Sequence, residues 1–202
     1  MKLIKNINVI SLILILSLSF QSISKAENIS EFEIEGMSVG ESLLKYFNQN
    51  EIKNEIKDAA YYPNSKKFMI LSLIPDDIKE YDNINFHIKT NDKNYIIHSV
   101  KGMKYLDTKE CLEIKKSVVS EVKDLLPNAR ISDHTNDYDN NLGNSKAFIH
   151  DFYITGGIIR VFCTDWDKEF MEKEYNKIYE NSLSVNASSS ELGDFIQNEA
   201  YK

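Results

Sequence analysis

Apolar residues along this chain recur at two spacings, and the change from one to the other separates strands from helices. Two-residue alternation predicts strands at residues 32–35, 84–88 and 95–105. A continuous apolar run at residues 68–73 predicts a strand that is buried on both faces. Because a turn signal at residues 91–94 separates two of these strands, they are predicted to form a β-hairpin.

Three- and four-residue spacing predicts the helices, and the clearest of them lies in the middle of the chain. Asp107 or Thr108 caps this helix, and Pro127 stops it. Its apolar stripe consists of Cys111, Ile114, Val118, Val122 and Leu125. Shorter helices are predicted at residues 51–60 and 167–179.

A second hairpin is centred on Gly156-Gly157, a pair that suits a two-residue turn. This turn pairs Thr155 with Ile158 and places Tyr153 opposite Arg160. The residues that then share one face are Phe148, His150, Phe152, Ile154, Ile159, Val161 and Cys163.

Helices that alternate with antiparallel hairpins predict an α+β fold for residues 27–202, as a single domain. We expect an antiparallel sheet of hairpins with helices packed on one face, and the order of elements suggests two helix-plus-three-strand units. Residues 132–146 are polar and are predicted to be a loop, and residues 183–187 alternate as the last strand. No series of βαβ crossovers is visible, which disfavours a doubly wound parallel sheet.

Residues 1–26 are predicted to be a secretory signal peptide. Lys2 and Lys5 precede an apolar run at residues 9–20, and Ser24-Lys25-Ala26 is a small-x-small cleavage site. The alternative is a membrane anchor, but the run is shorter than the roughly 20 residues that span a bilayer. No cysteine follows the cleavage site directly, which disfavours a lipid anchor. Residues 27–31 are expected to be a flexible leader of the mature chain.

The charge of the chain excludes some classes of partner. The net charge is −7, and loss of the three lysines in residues 1–26 makes it −10. Nucleic acids and anionic membrane surfaces attract patches rich in lysine and arginine. We therefore expect a soluble periplasmic or secreted protein that binds an unidentified protein or small molecule, without nucleic acid, cofactor or membrane anchor.

The chain has two cysteines, Cys111 and Cys163. An exported protein meets oxidising conditions, so this pair predicts a disulfide that contributes about 4 kcal/mol by the loop-entropy model. Two separate buried thiols are one alternative. The other is a catalytic thiol, because the predicted register places His150 opposite Cys163.

Residues 36–40 fit two incompatible functions of Ser38. They match G-x-S-x-G, the nucleophile elbow of serine hydrolases. Ser38 and Glu41 also match S-x-x-E, a helix capping box. The cap is favoured because few residues of the mature chain precede Ser38, whereas an elbow follows several strands. A second S-x-x-E, at Ser188 and Glu191, predicts the cap of the closing helix.

Two further groups of residues suggest metal binding. Asp137, Asp139 and Asn141 alternate as calcium ligands do, although the glycine and glutamate spacing of an EF-hand is absent. His87 and His98 face each other if the loop between their strands is even in length. An odd loop matches the apolar faces better and pairs Phe86 with His98, and neither case supplies a third zinc ligand. A solvated loop and ordinary histidines are the simpler interpretations. Trp166 is expected to be an aromatic anchor at the sheet edge.

Residues 34–47, Thr164-Asp165-Trp166 and residues 191–195 together resemble a family of small, uncharacterised secreted proteins from AT-rich bacteria. This resemblance implies export and a shared fold, and it brings no activity. Gly36-Met37-Ser38 is also distantly similar to the start of BamE and related domains of the β-lactamase-inhibitor-protein-like fold. The chain lacks the lipidation cysteine of BamE, so this similarity implies the fold alone.

The leading hypothesis is a non-enzymatic binding or envelope-associated role. The alternative is a secreted serine hydrolase that uses Ser38.

Overall fold

Alternating apolar residues form ten strands in the described part of the chain, and eight of them join in one sheet. The computed structural model describes residues 26–138, 142–176 and 179–202. A small hairpin comes first, made of β1 (Glu33–Ile34) and β2 (Met37–Ser38). The main sheet contains β3 (Ala60–Tyr62), β4 (Ser65–Ser72), β5 (Asn83–Lys89), β6 (Ile97–Tyr105), β7 (Arg130–Asp137), β8 (Lys146–Ile154), β9 (Gly157–Asp165) and β10 (Ser182–Ser189).

Four α-helices lie in the described residues, and each begins at a polar cap. They are α1 (Gln49–Glu55), α2 (Thr108–Leu125), α3 (Lys168–Tyr175) and α4 (Ser190–Asn198). The Asp107 side chain accepts a hydrogen bond from the Glu110 backbone N–H at the start of α2, so that predicted cap is confirmed. None of the helices in these residues is long and apolar enough to cross a membrane.

The main sheet is antiparallel throughout, in the order β3-β4-β5-β6-β10-β9-β8-β7. The first unit is α1 followed by the meander β3 to β6, and the second is α2 followed by β7 to β9. The last strand, β10, pairs with β6 and β9 and so joins the two units. The predicted α+β fold with helices on an antiparallel sheet of hairpins is confirmed, and the first unit has four strands.

The main core lies between one face of the sheet and helix α2. The buried stripe of α2 is Cys111, Val118, Val119 and Val122, and it packs with Val161 and Val185 of the sheet. The disulfide between Cys111 and Cys163 joins α2 to β9, with 5.9 Å between the two Cα atoms. The pairing predicted from the two cysteines is therefore present in the structure.

Helix α4 adds a second, smaller cluster on the opposite face of the sheet. Leu192 and Phe195 of this helix pack with Phe68, whereas the neighbouring Met69 belongs to the main core. Adjacent residues of a strand point to opposite faces, so β4 is buried on both faces, as predicted. The part of this opposite face on β5, β6 and β10 is largely polar.

The register of the second hairpin differs from the prediction by two residues. Tyr153 pairs with Ile158, and Ile154 pairs with Gly157, so the turn residues are Thr155 and Gly156. Gly157 lies in the strand, and glycine is required there because a Cβ would lie 2.1 Å from a backbone oxygen of β10. A shift of two residues preserves the face of every side chain, so the predicted face is correct.

Two predicted irregular segments are ordered. Residues 132–137, predicted as part of a loop, continue β7 along β8. The segment expected to be a flexible leader contains a 3₁₀ turn, Ile29–Glu31. Ile29 is 4% exposed, and its backbone N–H donates to Thr155 O at 3.0 Å. The buried isoleucine and this hydrogen bond explain why the segment packs against the sheet.

Candidate functional site

A grid of nine residues occupies the middle of the sheet on the face opposite the main core. We call these residues the polar face. Each of β5, β6 and β10 contributes three of them at alternate positions, and the pairing of the strands sets the rows. The nine residues are Asn83, Asn85, His87, Ser99, Lys101, Met103, Ser184, Asn186 and Ser188. Eight of the nine are polar, although β6 and β10 are central strands.

A β-bulge at His98 creates this arrangement. Ile97 pairs with Ile88 and Ser99 pairs with His87, so His98 is the extra residue. The bulge places Ile97 and Val100 in the core together, and the residues from Ser99 onward alternate in the new phase. His98 therefore opposes neither His87 nor Phe86, and both predicted histidine pairings are wrong.

Three side chains of the polar face form a closed ring of hydrogen bonds. The Ser99 hydroxyl donates to Asn186 Oδ1 at 2.6 Å, and Asn186 Nδ2 donates to Ser188 Oγ at 3.0 Å. The Ser188 hydroxyl completes the ring by donating to Ser99 Oγ at 2.9 Å. Each hydroxyl hydrogen of the ring already has an acceptor, so the orientations of these three side chains are fixed.

Lys101 and Asn85 are direct neighbours on the polar face and pair across β6 and β5. Within the described part of the chain, neither side chain makes a hydrogen bond or an ion pair. The buried side-chain atoms without a partner are Glu121 Oε2 and His150 Nε2. Both residues are partly exposed, and their side-chain donors have no partner within the described residues. Burial lowers the pKa of the Lys101 ammonium.

An ion pair between a partly exposed arginine and a buried carboxylate continues the row of Lys101 and Asn186 across the sheet. Arg160 pairs with Asn186 on one side and with Asp151 on the other. The Arg160 guanidinium donates from Nε and Nη2 to the two oxygens of Asp151, at 2.6 and 2.8 Å. Asp151 is fully buried. The bidentate contact raises the pKa of Arg160 and satisfies this charge within the protein.

His87 is a neutral group at the edge of the polar face. Its Nδ1 shares a hydrogen bond of 3.0 Å with the Tyr62 hydroxyl. Burial, with a smaller contribution from the charge of Lys101, lowers the pKa of His87 to about 3. This histidine is therefore uncharged at neutral pH and adds no second positive charge to Lys101.

Beyond the bulge, charged residues surround an open depression of about 540 Å³ that His98 and Lys89 help to line. Lys89 Nζ lies 2.6 Å from Glu191, and His98 Nδ1 lies 3.7 Å from the same carboxylate. Burial lowers the pKa of His98. These charges are already paired, in contrast to Lys101.

Ser38 neither caps a helix nor occupies an elbow. It is 4% exposed and belongs to β2. Residues 39–40 after it form a turn, in which the Glu41 backbone N–H donates to Ser38 O at 3.4 Å. The Gly40 N–H then donates to Ile97 O, and the Ile97 N–H donates to Glu41 O. The first helical turn that follows is a 3₁₀ helix capped by Ser42. No histidine of the described residues hydrogen bonds to Ser38, and the predicted capping box there is wrong.

The second predicted capping box is displaced by one residue. The Ser189 hydroxyl, rather than that of Ser188, accepts the Leu192 backbone N–H at 3.2 Å. Ser188 is the last residue of β10 that faces the polar ring, which explains the displacement.

Both cysteines are in the disulfide, so neither is a catalytic thiol in this structure. His150 pairs with Val161 rather than with Cys163. Its Nδ1 lies 3.5 Å from Asp133, and burial lowers its pKa. The proposed Cys-His pair is therefore wrong.

Within the described residues, no group of three or more histidine, cysteine, aspartate and glutamate side chains could hold a metal ion. Asp137 lies 3.4 Å from Lys146, whereas Asp139 and Asn141 lie outside the described residues. The calcium site therefore stays a prediction. Trp166 stacks on Tyr138 with 5.8 Å between the ring centroids, as expected of an aromatic anchor.

The polar face was not predicted from the sequence, although one signal for it exists. Strand β10 reads SLSVNASS, with polar residues at 182, 184, 186 and 188 and apolar residues between them. Such alternation is typical of a strand with one solvated face. A central strand with this pattern indicates a sheet whose second face is polar.

Comparison of the chain with protein-family models, with curated proteins and with solved structures finds no match.

Proposed function

We propose that this chain is an exported, disulfide-stabilised binding protein that holds its ligand on the polar face and performs no chemistry of its own. The observation that carries the proposal is the pair of free end groups on Asn85 and Lys101. Both residues are partly exposed in the middle of a sheet, and both can donate hydrogen bonds to a ligand.

The surroundings of this pair support binding rather than catalysis. The hydroxyls of Ser99 and Ser188 donate within the closed ring, and the two serines are 1% and 6% exposed. A nucleophilic serine needs an adjacent base that can take its proton. Within the described residues, the two basic groups on the grid, Lys101 and His87, hydrogen bond to neither hydroxyl, and His87 Nδ1 is paired with the Tyr62 hydroxyl.

Export is the second part of the proposal. It is supported by the leader pattern of residues 1–26 and by the Cys111–Cys163 disulfide, a bond that persists in oxidising compartments. To test it, the full chain is produced in a bacterial host with its own leader, and the periplasmic and culture fractions are separated. We expect an intact mass that corresponds to cleavage after Ala26 and lacks the two thiol hydrogens. An uncleaved cytoplasmic product with free thiols would refute export.

Binding is tested by thermal unfolding of the processed protein with a panel of amino acids, short peptides, sugars, organic acids and phosphate esters. A ligand present at about 100 times its Kd stabilises the folded state by about 2.7 kcal/mol, which raises Tm measurably. Asn85→Leu should abolish the rise, because it removes a free amide of the polar face. Asn50→Leu is the matched control, because this exposed asparagine lies on α1, away from the polar face.

A panel without any stabilising compound would contradict a binding role for these ligand classes. A Tm increase that survives Asn85→Leu would place the ligand elsewhere on the protein. Turnover of a bound compound would refute the non-catalytic part of the proposal.

A further inference from the structure

Lys101 lies at the centre of the polar face, and within the part of the chain that the structure describes it forms no ion pair. It is the middle residue of β6, Ile97–Tyr105, and β6 has three strands on one side and four on the other. Its eight neighbours on the grid are serine, asparagine, methionine and histidine residues, and none of these side chains is a carboxylate.

A lysine in this position cannot easily carry its charge to the edge of the molecule. Long lysine side chains normally extend along apolar surface until the ammonium reaches bulk water. From the middle of an eight-stranded sheet the nearest sheet edge is three strands away, about 14 Å at the usual strand spacing. The ammonium therefore stays above the grid, where partial burial disfavours its charge.

Arg160 is a cation on the same face, and it differs from Lys101 because its charge is paired within the protein. It lies in the same row as Lys101, with Asn186 between the two. Its guanidinium is matched by the buried carboxylate of Asp151 in a bidentate contact. Lys101 has no such partner within the described residues. One cation of the row is therefore neutralised by the protein, whereas the other is left for a partner from outside.

The neighbours of Lys101 favour a role in which its ammonium binds an anion over a role in which its neutral amine reacts. The closed ring of Ser99, Asn186 and Ser188 fixes these side chains, and both of its hydroxyls already donate within the ring. Asn85, directly opposite Lys101, keeps two free N–H donors. An ammonium beside an amide N–H can donate to two oxygens of the same oxyanion.

We propose that Lys101 and Asn85 bind an oxyanion, the carboxylate or phosphate group of the ligand. This inference rests on the proposed function, because it assigns the charged end of a ligand that lies on the polar face. Carboxylate and phosphate have the same recognition chemistry here, and the experiment below distinguishes them.

The test follows Lys101 directly by NMR in processed protein labelled with ¹³C-lysine. Inorganic phosphate and acetate are titrated separately at constant ionic strength, with chloride as the balancing salt. We expect a saturable shift of the Lys101 Cε signal and an upward shift of the Lys101 pKa, because a bound anion favours the ammonium. Saturation by phosphate alone indicates a phosphoryl ligand, and saturation by acetate alone indicates a carboxylate ligand. Absence of a saturable shift with both ions would overturn the proposal, and this measurement needs no variant.

Variants provide the second arm. Lys101→Met should weaken binding of the saturating anion about tenfold or more, because it removes a charge-assisted hydrogen bond. Lys101→Arg keeps the cation and should retain most of the affinity. The matched control is Lys116→Met, which makes the same change at an exposed position on α2 and should leave binding unchanged.

An affinity that is equal in Lys101→Met and in the unchanged protein would overturn the proposal. If a compound of the panel still raised Tm and lost its effect only in Asn85→Leu, the binding function would stand and the role of Lys101 as anion anchor would fall. The two failures are therefore distinguishable.

Discussion

Reduction of the Cys111–Cys163 disulfide should cost the protein about 4 kcal/mol of its free energy of unfolding. The bond closes a loop with a sequence separation of 52 residues. In the chain-entropy model, a loop of this length removes about 14 cal/mol/K from the unfolded state, or about 4 kcal/mol at 25 °C. Because these are the only two cysteines of the chain, a reducing agent changes a single covalent bond.

The assay is urea unfolding of the same preparation with and without a reducing agent. With a slope of about 2 kcal/mol/M, which is usual for a small domain, the midpoint should fall by about 2 M. Cys111→Ala/Cys163→Ala should fall further, because both residues are fully buried and the lost sulfur atoms leave cavities. The expected order of stability is therefore the oxidised protein, then the reduced protein, then the double variant.

A reduced protein with a midpoint within about 0.5 M of the oxidised one would refute this account. It would mean that the reduced, unfolded chain retains contacts between α2 and β9, so that the link removes little entropy. If instead the double variant matched the reduced protein, the entropic account would stand, and the cavities would be shown to collapse.

Three further predictions concern the polar face and the caps. Arg160→Met should cost about 3–5 kcal/mol in urea unfolding, because it leaves its buried carboxylate partner unpaired, whereas Lys101→Met should cost less than about 1 kcal/mol, because no partner is lost. The pKa of His87 is lowered to about 3, so the unfolded chain binds a proton below pH 6.5 that the folded protein does not. Stability should therefore fall between pH 7 and pH 4 by up to about 3 kcal/mol, and His87→Gln should remove this part of the pH dependence. Ser189→Ala should cost about 1 kcal/mol as a lost helix cap, and a loss of the same size in Ser38→Ala would contradict the absence of a cap there.

Helix α2 could be predicted from the sequence because each local signal agrees with the others. Asp107 is an N-cap, the apolar stripe has helical spacing, and Pro127 follows the end. The stripe also placed Cys111 toward the sheet, which is where the disulfide lies. The prediction depended on interactions within one segment and on which side of the helix packs on the sheet. Contacts with distant parts of the chain therefore did not change it.

The register of the β8–β9 hairpin could not be predicted, because glycine has two different uses there. Gly156 has a φ of +79°, which the turn requires. Gly157 is needed for its lack of a side chain, because β10 approaches its backbone closely. The sequence shows two adjacent glycines and does not distinguish a turn residue from a close contact. Only the position of β10, which is distant in the sequence, separates the two uses.

The candidate site was missed for a related reason. Strict alternation along residues 95–105 places Ile97 and Lys101 on the same face, which makes that face neither clearly apolar nor clearly polar. The bulge at His98 separates them, with Ile97 in the core and Lys101 on the polar face. A bulge adds one residue without a strong sequence signal of its own, so the phase change becomes visible only when both strands are paired.

The contrast between Arg160 and Lys101 separates what the fold requires from what a ligand requires. A buried charge that serves stability needs its partner in the same chain, and Arg160 has one in Asp151. A charge that serves binding must be left unmatched until the ligand arrives, and this lowers the stability of the free protein. Lys101 has the features of the second kind, since burial disfavours its charge and its ammonium has no partner among the described residues. The position where the structure leaves a cation unmatched is therefore the position where a ligand can contribute most to both binding and stability.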